Sequence, residues 1–380
     1  MAHGQVNQRI SRLRKASKNA IPKLSEAIRK LFLRVGWSQS NPSSELISGD
    51  VYQSHRILDN ATFKKHILKN GRSRPIMLIC ETVNICNNNC IICPYHKMTR
   101  KKEIMPLSLF EKVLRDYSDM GGGALSLTPM VGDVFLDKFL LDRIRLIKQY
   151  RTITKIGFTT NAVLVDQFSD KDLTLILENM SNIHLSVYGM DGEEYLIMTK
   201  RNSYSRLLGN IKRLLALVDD RNKIKIGFRF LKQHSENDIR QWMFEHFGTE
   251  FQYGYTSFYA NWGNTLNTHE PLPLQGKWFD SRENTAPCII PLVACQVFSN
   301  GDVSFCHCCD YDAIDDFRLG NLKAMSLTAL YNSEKNRRLW RWENDGKLPT
   351  YCKQCTFHVP LSSVMSYQFI FENPLDFIGG

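Results

Sequence analysis

Three cysteines stand together between Asn84 and Met98: Cys86, Cys90 and Cys93, separated by three and then two residues, with no fourth cysteine close behind. Thiolates are soft ligands that suit zinc and iron–sulfur clusters. Three of them hold three irons of a [4Fe–4S] cluster and leave the fourth iron open to an outside ligand, which a structural site would not do. The alternative is a zinc site of Cys3His type, completed by His96 three residues beyond Cys93. A second set lies near the other end. Cys288 and Cys306 bracket a hairpin-like run with Gly301 five positions before Cys306, and Cys352 and Cys355 form a C-x2-C pair. Four such ligands close either a fully ligated [4Fe–4S] cluster or a zinc tetrahedron. Of the remaining cysteines, Cys80 sits in an apolar run and reads as core. Cys308 and Cys309 follow Cys306 closely enough to pack beside it or to serve as alternative ligands.

The elements that must position these groups are legible in the patterning. From about residue 75 to 258, strand-like runs alternate with helical spacing. "PIMLICETV" reads as a buried strand that leads straight into the first cysteine loop, and "LSLFEKVLRDYSDM" as a helix stopped by Gly121–Gly123. "ALSLTPM", "KIGFTTN", "NIHLSVYG", "KIKIGFRFL" and "FQYGYTSF" supply five more strands, and "FLDKFLLDRIRLIKQY" a helix. Six strands alternating with helices predict a parallel sheet, open or closed into a partial barrel. Residues 259–287, rich in Asn, Gly, Pro and Thr, read as a linker or lid. "CQVFSNGDVSFC" predicts a hairpin about Ser299–Asp302, followed by a helix from about Leu327 to Trp342.

Composition sets the outer bounds. The chain has 380 residues, 43% of them hydrophobic and 23% charged, which is the profile of a globular protein. No run approaches the length of a spanning helix, and no secretory signal is visible, so the expected location is cytoplasmic. Eleven cysteines in a reducing compartment point to metal or redox chemistry instead of disulfides. The net charge of +11 is concentrated at the start, where residues 1–34 hold nine Lys or Arg against Glu26 alone, on an amphipathic pattern. That predicts a basic helix within an N-terminal extension (residues 1–70), packed on the domain or lying on an anionic membrane surface. Nucleic acid is a weaker partner, because no recognised binding module accompanies the charge.

The motif Cys86-x3-Cys90-x2-Cys93, placed after a first strand that opens a β/α series, resembles the signature of the radical S-adenosylmethionine (SAM) superfamily. The resemblance implies a partial (β/α)6 TIM-like barrel over residues 75–258. It also implies SAM bound by its amino and carboxylate groups to the open iron, and a reductant such as flavodoxin or ferredoxin. SAM contacts then fall to Gly132 and Asp133 in "VGDVFLD", Asn161 in "TTNA", Ser186 in "HLSVYG" and Arg229 in "GFRFL", with the guanidinium meeting the SAM carboxylate. Gly132 is expected to let the backbone approach the SAM amino group. The usual aromatic residue before the third cysteine is replaced by Ile92, with Tyr95 as a substitute near adenine.

The region 288–358 is similar to the SPASM/Twitch extension of such enzymes, the shortened form in particular. It implies a small α+β domain in which Cys288, Cys306, Cys352 and Cys355 hold an auxiliary [4Fe–4S] cluster, with a tail over 359–380. Within this reading Cys308 or Cys309 becomes a candidate hydrogen-atom donor to a substrate radical, as an epimerase requires. The expected activity is hydrogen abstraction from a hydroxylated small molecule or glycan, ending in oxidation or epimerisation. The alternative substrate is a peptide or protein, and the alternative of another class is a non-catalytic zinc-stabilised binding protein.

Overall fold

The computed structural model describes residues 74–358, apart from 76, 281–282, 285–287, 289–290, 292–293 and 337–348. The basic helix expected at the start and the C-terminal tail lie outside them. Six parallel strands run in chain order across one sheet: β1 (Met77–Cys80), β2 (Gly123–Ser126), β3 (Ile153–Thr160), β4 (Asn182–Tyr188), β5 (Ile224–Arg229) and β6 (Gln252–Thr256). Between them come helices α1 (Leu107–Asp119), α2 (Leu140–Ile147), α3 (Asp170–Asn179), the pair α4 (Gly192–Thr199) and α5 (Tyr204–Leu217), and α6 (Glu236–Phe247). This is the partial (β/α)6 barrel that the alternation predicts. The strands are near-continuous apolar runs because helices cover the outer face and side chains fill the inner one; β1 is buried at every position.

Local chemistry sets the helix boundaries. Ser169 and Ser235 open α3 and α6 with capping boxes to Asp172 and Asp238, and Gly248 closes α6 in a left-handed conformation. At the end of α1 the glycine run is a packing requirement as well as a cap. A Cβ on Gly122 would stand 2.3 Å from the Thr152 carbonyl oxygen. The second helix begins later than its periodicity predicts. Asp133 caps a short 3-10 turn over Val134–Leu136, and α2 starts only at Leu140.

The expected hairpin forms, and it joins the barrel sheet. Strand β9 (Ala294–Val297) pairs parallel to β1, with Met77 opposite Ala294 and Cys80 opposite Val297. β10 (Asp302–Ser304) and β11 (Arg318–Asn321) continue antiparallel, giving nine strands in the order β11-β10-β9-β1-β2-β3-β4-β5-β6. The C-terminal helix α7 (Leu327–Tyr331) breaks at Asn332, and α8 (Thr350–Lys353) carries Cys352, with Cys355 just beyond its end.

A buried ion pair ties the cysteine-loop side of β1 to the strands of the C-terminal unit. Glu81, at the end of β1, takes both forks of Arg100 at 2.7 and 3.0 Å, and Arg100 also donates to the Tyr311 carbonyl and lies 4.2 Å from the centre of the Phe298 ring. The segment expected as a linker or lid is tied down on both sides. β7 (Phe258–Tyr259) and β8 (Lys277–Trp278) pair with each other, and Trp262, Gly263 and Asn264 form a left-handed turn with φ of 51°, 62° and 70°.

Candidate active site

The barrel's inner face and the cysteine loop after β1 enclose one cavity, and the structure brings most of the sequence-identified residues to it. Cys86, Cys90 and Cys93 line it, as do Gly132, Asp133, Asn161, Ser186, Arg229 and, from the C-terminal side, Cys308. Burial pushes the Cys86 thiol up to about 12 and the Cys93 thiol to about 11. Cys90 is raised furthest, by burial and then by Cys93 and Cys86 beside it. Sulfurs that disfavour one another's ionisation are what a shared cationic centre relieves. Arg229 already works in that direction, lowering Cys90 and Cys93 from the other side of the cavity. His96, the alternative fourth ligand, is exposed on the outside of its 3-10 turn. The donor set therefore fits a multi-iron cluster with one open corner facing a guanidinium, and does not fit a Cys3His zinc site.

The proposed SAM contacts divide into groups that face the cavity and groups that hold the wall. Arg229 donates to the Ser186 hydroxyl at 3.0 Å, with its guanidinium carbon 5.6 Å from the centre of the Tyr188 ring, so its remaining donors are available to an anion. Asp133 is spent differently. Its carboxylate accepts from the Thr160 hydroxyl at 2.9 and 3.0 Å, the Asn161 backbone N–H at 2.7 Å and the Phe135 backbone N–H at 3.1 Å. Burial lifts its pKa to about 6, against the pull of those donors. Asp133 lines the cavity and, through these bonds, fixes the end of β3.

Gly132 lines the cavity as well, and a Cβ there would meet the Val83 carbonyl oxygen at 2.8 Å and that of Ile85 at 3.2 Å, so the missing side chain also admits the cysteine loop. Asn161 donates to the Asn87 side chain at 2.8 Å and lies 3.9 Å from the Cys86 sulfur. It holds the loop that carries the first ligand.

The second cysteine set gathers around Phe305 and Phe317, with Cys288, Cys306 and Cys352 packed there. Burial raises Cys306 to about 12 and Cys352 further, with Cys355 adding to the rise at Cys306, and Cys306, Cys355 and Cys288 to that at Cys352. Cys308 and Cys309 separate at this point. Cys308 faces the main cavity, whereas the Cys309 sulfur lies 3.4 Å from that of Cys355. Cys309 is turned into the C-terminal cysteine nest, so a hydrogen-donor role does not fit it and an auxiliary ligand role does. Cys80 is wholly buried in the main core, as its apolar surroundings predict.

Sequence reasoning missed the strap between the two sets. The Trp262 indole N–H donates to the Ile92 carbonyl at 3.0 Å, beside Cys93, while the Tyr351 hydroxyl donates to the Trp262 carbonyl at 2.6 Å and the Cys309 carbonyl at 2.9 Å. The left-handed triplet carries no signal beyond its single glycine. Gln296 and His307, both buried and lining the cavity, were likewise hidden inside an apparent hairpin.

Residues 80–243 match the model of the radical SAM superfamily, and residues 288–356 that of the SPASM iron–sulfur cluster-binding domain. The chain belongs to the radical SAM superfamily and carries a C-terminal SPASM domain. Those two domains together imply SAM and two iron–sulfur clusters as cofactors. Among curated proteins, GTP 3′,8-cyclase of Actinobacillus pleuropneumoniae serotype 7 is 23% identical over 172 residues, which is 44% of this chain and 48% of that protein. The chain thus spans about half the length of the curated relatives it matches. Among solved structures, Streptococcus suis SuiB bound to the precursor peptide SuiA is similar with a TM-score of 0.52 and 14% identity, over 87% of this chain and 83% of that one. BtrN in complex with AdoMet and 2-DOIA gives 0.50 and 16%, over 74% and 93%. Likeness at these identities is likeness of fold. No helix among the described residues is long and apolar enough to cross a membrane.

Proposed function

We propose that this chain is an enzyme in which Cys86, Cys90 and Cys93 hold a SAM-binding [4Fe–4S] cluster and Cys288, Cys306, Cys352 and Cys355 an auxiliary one, acting on a C–H bond of a hydroxylated small molecule or glycan. The observation that carries the reading is the shared cavity: three cysteines and Arg229 open onto it from the barrel, and Cys308 from the C-terminal unit. When bound and reduced, such a cluster with SAM supplies a 5′-deoxyadenosyl radical. The chain's residues do the rest. Arg229 pairs with the SAM carboxylate, steadied by Ser186. Asp133 and Asn161 hold the β3 end and the cysteine loop in register. Tyr259, Trp262 and Phe357 line the cavity and exclude water from the reacting centre. Cys308 is placed to return a hydrogen atom if the product is an epimer.

The GTP acted on by the curated relatives is a poor fit. A triphosphate needs several cations, and among the described lining residues Arg229 is the only Lys or Arg. SuiB and BtrN hold a peptide and a small molecule on comparable folds, so the choice between those substrates rests on the lining and not on the likeness.

The test is anaerobic purification followed by reduction with flavodoxin or dithionite. The expected protein is brown, carries about eight irons per chain for two [4Fe–4S] clusters, and converts SAM to 5′-deoxyadenosine. Cys86→Ala, Cys90→Ala and Cys93→Ala each abolish that conversion, while Cys352→Ala lowers the iron content and leaves some of it. A colourless protein holding zinc, or undiminished conversion in any of the first three variants, overturns the proposal. Deuterium transfer from labelled candidates into 5′-deoxyadenosine identifies the hydrogen removed.

A further inference from the structure

The cavity has a second wall, made by the strands that the C-terminal unit adds to the sheet, and its chemistry is unspent. Gln296 faces inward from β9, paired across the sheet with Ile79 of β1, and is fully buried. Its amide nitrogen donates to the Val297 carbonyl at 3.1 Å, yet its oxygen Oε1 meets no partner among the described residues. His307 follows β10 and is 4% exposed, with neither Nδ1 nor Nε2 in good hydrogen-bonding geometry beyond a loose contact with the Ala294 backbone. Gln296 follows Ala294 by two residues on β9, and imidazole and amide both line the cavity. A buried polar atom without a partner costs about 1–3 kcal/mol, and two such groups on one cavity wall are the mark of a ligand that completes them.

We infer that Gln296 and His307 form the substrate-recognition wall of this cavity and bind adjacent hydroxyls of an uncharged polyol or sugar ring. The inference rests on the proposed function and names the substrate class of the same site. An acceptor on Gln296 and a donor–acceptor imidazole match a hydroxyl pair, since each hydroxyl both gives and takes a hydrogen bond. The rest of the inner lining is of the same kind. Ser126, Thr128, Asn182 and Ser186 are neutral, His184 adds a second imidazole, and Arg229 and Asp133 lie toward the cysteine end, beside Cys90 and Cys86. No cation on this wall answers a phosphate. The pair shares its stretch of lining with Met77 and Ile79 of β1.

The test uses the reconstituted holoprotein with SAM, without reductant, and three probes in thermal-shift titrations: scyllo-inositol, myo-inositol and N-acetylserine methylamide. At least one of the two cyclitols is expected to raise the Tm of the wild type saturably, and Gln296→Leu and His307→Phe each to weaken that response at least tenfold. Without probe, both variants keep or raise the wild-type Tm, because an apolar replacement removes an unpartnered group; a purely structural role predicts a fall instead. Stabilisation by the serine amide alone, no cyclitol response in the wild type, or variants that melt early while responding normally would each overturn the inference. Reductive cleavage of SAM by the wild type, run in parallel, separates the cases. If cleavage is present and cyclitol binding absent, this inference alone fails; if cleavage is absent, the proposed function fails.

Discussion

Replacing Arg100 with Met should destabilise the protein by an amount set by the charge it leaves behind. Glu81 is fully buried and Arg100 nearly so, and the carboxylate's other partner is Ser299, through its hydroxyl at 3.3 Å and its backbone N–H at 3.4 Å. Removing the guanidinium strands a buried carboxylate, which typically costs about 3–5 kcal/mol. The corresponding Tm deficit is on the order of 10 °C. The Glu81→Met/Arg100→Met double variant strands no charge and should lie closer to wild type than Arg100→Met does. Near-UV circular dichroism melts of the anaerobic protein provide the measurement. A single variant that melts with the wild type, or a double variant as unstable as the sum of the singles, refutes the reasoning.

Two further outcomes follow from single contacts. Arg229→Met should weaken SAM binding by about 10- to 150-fold in equilibrium dialysis of the unreduced, reconstituted protein, the worth of a charged hydrogen bond of about 1.5–3 kcal/mol; unchanged affinity would remove Arg229 from the SAM site. Glu194 joins α4 to the end of β5, accepting from the backbone N–H groups of Leu231 at 2.6 Å and Lys232 at 2.7 Å. Burial acts to raise its pKa, but hydrogen bonds from His234, Lys232, Leu231 and Met190 outweigh it and hold the carboxyl below its ordinary value. Its stabilisation is therefore complete above the unfolded pKa near 4.5 and lost as pH falls through the lower folded one. Glu194→Gln should flatten that acid limb of a Tm–pH profile, and an unchanged limb would show that other carboxylates set it.

Periodicity and spacing carried the architecture because both are local. The apolar run at Met77–Cys80, the glycine stop after α1 and the turn at Ser299–Asp302 each appear where their chemistry places them. The cysteine loop and the residues converging on it were equally readable, since each sits at the carboxyl end of a strand. What could not be read was the use of a side chain. Asp133 and Gly132 look like ligand contacts in a linear motif, and the structure adds a second use to each: one holds Thr160 and Asn161, and the other makes room for Val83 and Ile85. Such distinctions depend on contacts between residues that are distant in sequence. For the same reason Cys308 and Cys309, adjacent and chemically identical, diverge only once β10 and α8 fix which way each sulfur points.

The strap shows how contacts of that kind couple two sites. Gly263 has φ of +62°, and a Cβ on it would fall 1.9 Å from the Tyr351 ring. Gly263→Ala therefore adds a left-handed penalty of about 1–2 kcal/mol to a steric overlap that only ring displacement relieves. Displacing Tyr351 breaks the single hydroxyl's shared bond to the Trp262 and Cys309 carbonyls, worth about 1 kcal/mol in all. The total loss should exceed about 2 kcal/mol, whereas Tyr351→Phe, which keeps the ring and loses only that shared bond, should cost about 1 kcal/mol. The disturbance should travel further than stability. Trp262 is bonded to the Ile92 carbonyl beside Cys93, and Tyr351 precedes Cys352, so Gly263→Ala should weaken SAM binding and lower iron retention together. If SAM affinity stays at the wild-type value while iron is lost from the C-terminal set, the strap anchors the SPASM domain alone and the two cysteine sites are mechanically independent.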